Sequence, residues 1–106
     1  MKQLRKETAT EQEDTQEQPL PFVVGHLRFT PGIIEMVPLI ELLDGLDRHR
    51  RQDWGEVPAE DWEANNHAVL HGGRILSAYD TKEGTRFWII TEANRQVSTA
   101  LLPLEY

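Results

Sequence analysis

The stretch that most limits what this chain can fold into is Gly72–Tyr106, GGRILSAYDTKEGTRFWIITEANRQVSTALLPLEY. Two polar breaks divide it into three runs rich in β-branched and aromatic residues, the composition of a pleated, half-buried surface. In the first run Ile75, Ser77 and Tyr79 alternate with Arg74, Leu76 and Ala78. In the second, Arg86–Thr91, Phe87, Ile89 and Thr91 oppose Arg86, Trp88 and Ile90. Large apolar groups on both sides of that second run predict a central strand, covered at least in part on each face. Asp80–Gly84 is polar and ends in Gly, which suits a five-residue hairpin loop. Ala93–Gln96 supplies a second turn, with Asn94 able to take a left-handed conformation. Ser98–Leu102 is the third strand, and Pro103 either ends it or places it at an edge.

Upstream of this meander the pattern is mainly helical. Phe22–Phe29 reads as a strand in which Gly25 marks a bulge or a close backbone approach. Thr30-Pro31-Gly32 is a helix start, with Thr30 as N-cap and Pro31 at a position where its missing N–H costs nothing. Pro38 ends that short helix and begins another. Leu39, Leu42, Leu43 and Leu46 recur there at helical spacing, with Ile40 widening the stripe. Arg48, His49, Arg50 and Arg51 fall in the last turn, where cations complement the helix dipole. Trp54 beside Gly55 closes the turn as an aromatic anchor. Pro58–Asp61 opens a third helix carrying Trp62, Asn66 and Val69 on one face, and Gly72 stops it. The expectation is a single α+β domain over 20–106: an N-terminal strand, two or three helices, then a three-stranded antiparallel β-meander. Residues 1–19 are expected to be a disordered tail, because Met1–Gln18 has one Leu and no aromatic residue to offset its ordering entropy.

Charge and composition narrow the function. No cysteine is present among the 106 residues, which excludes thiolate metal sites and disulfides and fits a reducing cytoplasm. No apolar run approaches the length of a membrane span, and no signal-peptide core is present. The net charge of -7 argues against general nucleic-acid binding, which needs a basic surface to displace counterions. The acid is concentrated: Glu35–Glu63 holds nine acidic residues against Arg48, Arg50 and Arg51, whereas the strand half is balanced. A solvated helix surface would account for this. Docking to a protein partner with a basic surface is the functional reading, through Glu41, Asp44, Asp47, Asp53 and Trp54.

Chemistry-bearing constellations are sparse. His67 and His71 share a helix face, and Glu63 lies one turn back, but this spacing is common by chance and predicts no metal. No phosphate-binding loop, dinucleotide fingerprint, nucleophile elbow or calcium loop occurs, so no cofactor is expected. A metal-independent ribonuclease would need a general acid and base with cations to stabilise the phosphorane. His71, Arg74, Thr91, Arg95, Thr99 and Tyr106 are the residues able to serve. Helices followed by an antiparallel sheet also fit a barnase- or RelE-like toxin, by analogy of fold. Each has an ordinary role as well: strand-edge charge, cross-strand hydroxyl pair, terminal aromatic.

Four segments, DWGEVPAEDWEANNHAV, GRILSAY, WIITEANR and TALLPLEY, together resemble a family of small proteins from plasmids and other bacterial mobile elements. Some of its members carry the name plasmid-related protein or type I restriction–modification subunit M. The resemblance spans roughly Thr30–Tyr106. The family pattern has Asp-Arg where this chain has Asn94-Arg95, and paired Thr where it has Ser98-Thr99. A methyltransferase subunit needs a doubly wound cofactor domain, which this chain lacks. The resemblance therefore implies a setting, not a reaction. The expected function is that of a small acidic, non-enzymatic interaction protein of a mobile element that binds or inhibits a host defence complex. The alternative is the ribonuclease toxin.

Overall fold

The computed structural model describes residues 22–106; the expected tail, 1–19, lies outside them. The class is α+β, with three helices and one four-stranded mixed sheet. Strand β1 (His26–Phe29) leads into α1 (Pro31–Met36), α2 (Leu39–Arg50) and α3 (Ala59–His71). Strands β2 (Ile75–Asp80), β3 (Arg86–Thr91) and β4 (Val97–Leu101) follow, and a 3-10 turn covers Pro103–Glu105. The spatial order is β1-β4-β3-β2. The β2–β3 and β3–β4 pairs are antiparallel, and β1 runs parallel to β4. The N-terminal strand is thus an edge of the same sheet rather than a separate element.

That strand is shorter than its sequence suggests. Gly25 adopts φ +68°, and a Cβ there would overlap the backbone of Gln96. The close approach lets the His26 amide donate to the Gln96 carbonyl, and regular pairing begins only there. At the second turn the left-handed residue is Arg95, at φ 63°, not Asn94. The Asn94 side chain instead accepts from the Gln96 amide, an Asx-type contact that leaves Arg95 to take the positive φ.

The helix starts follow their local chemistry. Thr30 Oγ1 accepts from the Ile33 amide, and Pro31 opens the helix behind it. Glu105 reinforces this end from the far end of the described chain. Its carboxylate accepts from Thr30 Oγ1 at 2.5 Å, the Gly32 amide at 2.9 Å and the Leu102 amide at 2.8 Å. These hydrogen bonds hold the Glu105 carboxyl below its ordinary range, the Thr30 hydroxyl first among them.

All three helices lie toward one side of the sheet. Ile33, Val37, Leu42 and Leu46 pack on Tyr79, Phe87, Ile89 and Ala100. Trp54, Ala68 and Ile75 form a second cluster, flanked by Phe22, Val57, Trp62 and Val69. Trp54 is fully buried, and its Nε1 donates to Asn66 Oδ1 at 2.9 Å. The free edge of β2 is closed by two devices. Gly55 bridges Ala78, and Asn65 on α3 donates to the Leu76 carbonyl and accepts from its amide. An unpaired strand edge is an aggregation template, and these contacts remove it.

Candidate functional site

The acidic half of the chain is a real surface, and its geometry starts from α2. Leu42, Gly45, Leu46 and His49 form the buried stripe of that helix. The wider stripe read from sequence splits in two: Leu39, Ile40 and Leu43 are 63%, 77% and 49% exposed. On α1 and its end, Ile34 and Met36 are 73% and 50% exposed. Five large aliphatic side chains therefore reach solvent within ten residues, a density that marks interaction surfaces rather than scattered exposed residues.

Acids border this patch. Glu35, Asp44 and Asp47 are exposed and Glu41 is half-buried. Glu41 accepts from the Lys82 amide at 2.8 Å, which ties α2 to the β2–β3 loop. Asp47 pairs with Arg51 at 3.2 Å. Asp53 pairs with Arg48 at 2.8 Å and also receives the Gly55 amide; the Arg48 hydrogen bond is the main reason its carboxyl is held low. Arg48 in turn lies 4.7 Å over the Tyr79 ring. A cleft of about 390 Å³ opens beside the patch, with Ile40, Glu41, Asp44, Tyr79, Lys82 and Phe87 on its wall. Of the five expected docking residues, Glu41, Asp44 and Asp47 thus border the patch. Asp53 supports a turn through Arg48. Trp54 is sealed in the core and cannot touch a partner, because anchoring the Gln52–Gly55 turn requires its whole ring to be packed.

The sequence reads His49 as one of the cations in the last turn of α2, but the structure puts it inside. It is fully buried between α2 and the sheet. Its Nδ1 lies 2.5 Å from Ser77 Oγ and its Nε2 2.8 Å from Thr91 Oγ1. Thr91 Oγ1 continues to Ser98 Oγ at 2.6 Å, and Ser98 Oγ donates to the Val24 carbonyl at 2.7 Å. A carbonyl only accepts, so with a neutral imidazole one proton order satisfies every link. Ser98 donates to Val24, Thr91 to Ser98, His49 Nε2–H to Thr91, and Ser77 to His49 Nδ1. Burial is what keeps the imidazole neutral. Burial, with the nearby Arg95 charge second, lowers its pKa to about 3. Ser77, Thr91 and Ser98 are all buried, so the chain fixes the sheet against α2 and meets no substrate. The signal was available: His49 continues the Leu42–Leu46 stripe, three residues on from Leu46.

The six ribonuclease candidates are not assembled. Thr91 is fully buried in that chain. Arg95 donates to the Gly73, Glu92, Ala93 and Ala68 carbonyls, binding the β3–β4 turn to the C-terminal end of α3. His71 lies at the exposed end of α3, its ring centroid 4.4 Å from that of His67. Arg74, Thr99 and Tyr106 are on or beside the face of the sheet turned away from α1 and α2. There Arg74 donates to the Tyr106 hydroxyl, Tyr106 packs edge-on to Trp88, and Thr99 stands opposite Ile90. Among the described residues, no group of three or more His, Cys, Asp or Glu side chains is placed to hold a metal ion. No helix of the described residues is long and apolar enough to cross a membrane.

Comparison with family models, with curated proteins and with solved structures finds no match for this chain.

Proposed function

We propose that this chain is a non-enzymatic docking module whose α1–α2 surface engages a protein with a basic-rimmed apolar surface. The exposure of Ile34, Met36, Leu39, Ile40 and Leu43 beside Glu35, Glu41, Asp44 and Asp47 carries this reading. Apolar centres supply the affinity of such interfaces, while bordering charges steer the encounter and select the partner. The setting, a bacterial mobile element acting on a host defence complex in the cytoplasm, rests on the segment resemblance and on the absence of cysteine. A ribonuclease is disfavoured by the separation of its six candidate groups, since acid–base catalysis needs them within hydrogen-bond reach of one substrate.

The test uses the tagged chain and host extract, beside an RNA-cleavage assay with chelator. Docking expects a specific protein retained by the wild type and lost with Ile40→Asp. The triple reversal Glu41→Lys, Asp44→Lys, Asp47→Lys should weaken retention and its salt dependence, with the fold intact. Chelator-resistant cleavage abolished by His71→Ala or Arg74→Ala would overturn docking as the main function.

A further inference from the structure

Two imidazoles at the end of α3 take no part in the core or in the docking surface. His67 and His71 sit one turn apart near the C-terminal end of the helix, and both are exposed. Their ring centres are 4.4 Å apart and their planes are inclined at 37°. Among the described residues neither ring makes a hydrogen bond or an ion pair, so the nitrogens of both are free to ligate. The other two histidines differ. His49 has both nitrogens taken up by Thr91 and Ser77, and His26 on β1 shares no ring contact with another histidine.

The spacing alone predicts no metal; the placement of the rings supplies what the spacing lacks. An ion about 2 Å from an imidazole nitrogen lies about 3 Å from the ring centre, so two rings on neighbouring positions of one ion have centres about 4.5–5 Å apart. At 4.4 Å the His67–His71 pair is already close to that separation, and closing on an ion needs side-chain rotation rather than movement of the helix. There is room beside it: a Cβ at the adjoining Gly72 would meet nothing within 4 Å. Glu63, a further turn back, does not complete a group of three, so the remaining coordination positions fall to water. Such a site selects by ligand chemistry. Neutral imidazole suits Cu2+, Ni2+ and Zn2+, whereas Mg2+ and Ca2+ take oxygen. Charge alone would not hold an ion here, because the Arg95 guanidinium already donates to the Ala68 and Gly73 carbonyls at this helix end.

We propose that His67 and His71 chelate one late first-row divalent transition ion, Ni2+, Cu2+ or Zn2+, on the exposed side of α3. Each imidazole gives one nitrogen lone pair, and no contact of the folded chain has to break. The ion exchanges freely, since water fills the rest of its coordination sphere. It ties two successive turns of α3 together at the end where Arg95 binds that helix to the β3–β4 turn. Gly72 stops the helix one residue after His71, so the ion acts on its last turn. A staple there opposes fraying. An ion that binds the folded helix more tightly than the unfolded chain raises the unfolding temperature. The site is separate from the α1–α2 docking surface and does not depend on it.

Calorimetric titration of the full chain, free of any histidine tag and stripped with chelator, tests this with Ni2+ as probe and Mg2+ as control. One Ni2+ per chain should bind with half-saturation at or below about 100 μM, and Mg2+ should give no heat of binding. His67→Asn and His71→Asn should each weaken Ni2+ binding at least about tenfold, because a lone imidazole loses the second donor held beside it. Asn at these two exposed positions leaves the packing of α3 untouched, so the loss reports ligation rather than unfolding. His26→Asn should leave binding unchanged. In nuclear magnetic resonance spectra, paramagnetic Ni2+ should broaden the amides around His67 and His71 first. It should also raise the unfolding temperature of the wild type more than that of either pair variant. Binding by the wild type weaker than about 100 μM overturns the proposal. So does undiminished binding by either pair variant, loss of binding with His26→Asn, or broadening centred elsewhere.

Discussion

Apolar side chains point to both sides of the sheet, but the two sides are finished differently. Toward the helices, Ile75, Tyr79, Phe87 and Ile89 are almost inaccessible, and every polar group among them has a partner in the Ser77–His49–Thr91–Ser98 chain or, for Tyr79, in the Asp53 carbonyl. Away from the helices, Ala78, Ile90 and Leu101 are buried too, but Leu76 and Trp88 remain half-buried, Trp88 edge-on to Tyr106. The first side is committed to the fold. The second is committed less completely, at Leu76 and Trp88. The difference shows that strand composition alone does not decide burial; the element laid over the strand does.

Substitutions can break this contrast in a graded way. Phe87→Ala empties a site packed between α2 and the sheet and should cost about 3–5 kcal/mol in chemical denaturation. His49→Ala should approach that, about 3–4 kcal/mol, because it opens a cavity and strands the Ser77 and Thr91 hydroxyls without partners. Trp88→Ala, on the other face, should cost only about 1–2 kcal/mol, since the half-buried ring loses less apolar area. A loss as large as that of Phe87→Ala would mean the two faces are equally committed.

Acid should sharpen the same contrast. The His49 pKa is lowered to about 3 in the folded chain against an ordinary 6.5, so between those values the unfolded chain binds the extra proton. Stability is then complete above pH 6.5 and declines as pH falls toward 3, by at most about 1.4 kcal/mol per pH unit from this residue. The depressed Asp53 and Asp80 carboxyls act in the same direction lower down. The slope between pH 6.5 and 5 should therefore vanish in His49→Gln, measured by thermal unfolding. The smallest effect belongs to Ile40→Asp, which should move stability by no more than about 0.5 kcal/mol because the side chain is already in solvent.

How much of this was legible follows from which forces are local. Thr30-Pro31 opens α1, Gly72 caps α3, and the polar loop after Asp80 turns the chain, all through contacts within a few residues. The central position of β3 was readable from its two apolar faces. The parallel pairing of β1 with β4 was not, because nothing in either strand encodes a partner so distant in sequence. Leu39, Ile40 and Leu43 read as core because helical spacing predicts a stripe without saying how much of it a neighbour can cover. His49 was hidden by its arginine neighbours, and Thr91 by its position at the end of an apolar run, where a hydroxyl ordinarily signals the strand's exit into water. Arg95 looked like a reactive cation, whereas its guanidinium is taken up by four carbonyls.

The carboxylate of Glu105 reaches back across 75 positions to Thr30, beside a strand whose one neighbour in the sheet, among the described residues, is β4. On the ribosome, then, His26–Phe29 emerges early and waits unpaired until residues 97–105 have cleared the exit tunnel. Ordering that strand requires closing a very long loop, and such closures delay folding more than they weaken the finished fold. The nascent chain should pass through an interval in which the hairpins are formed while β1 is loose and the edge of β4 unpaired, and that interval is when this protein is most exposed to misassembly.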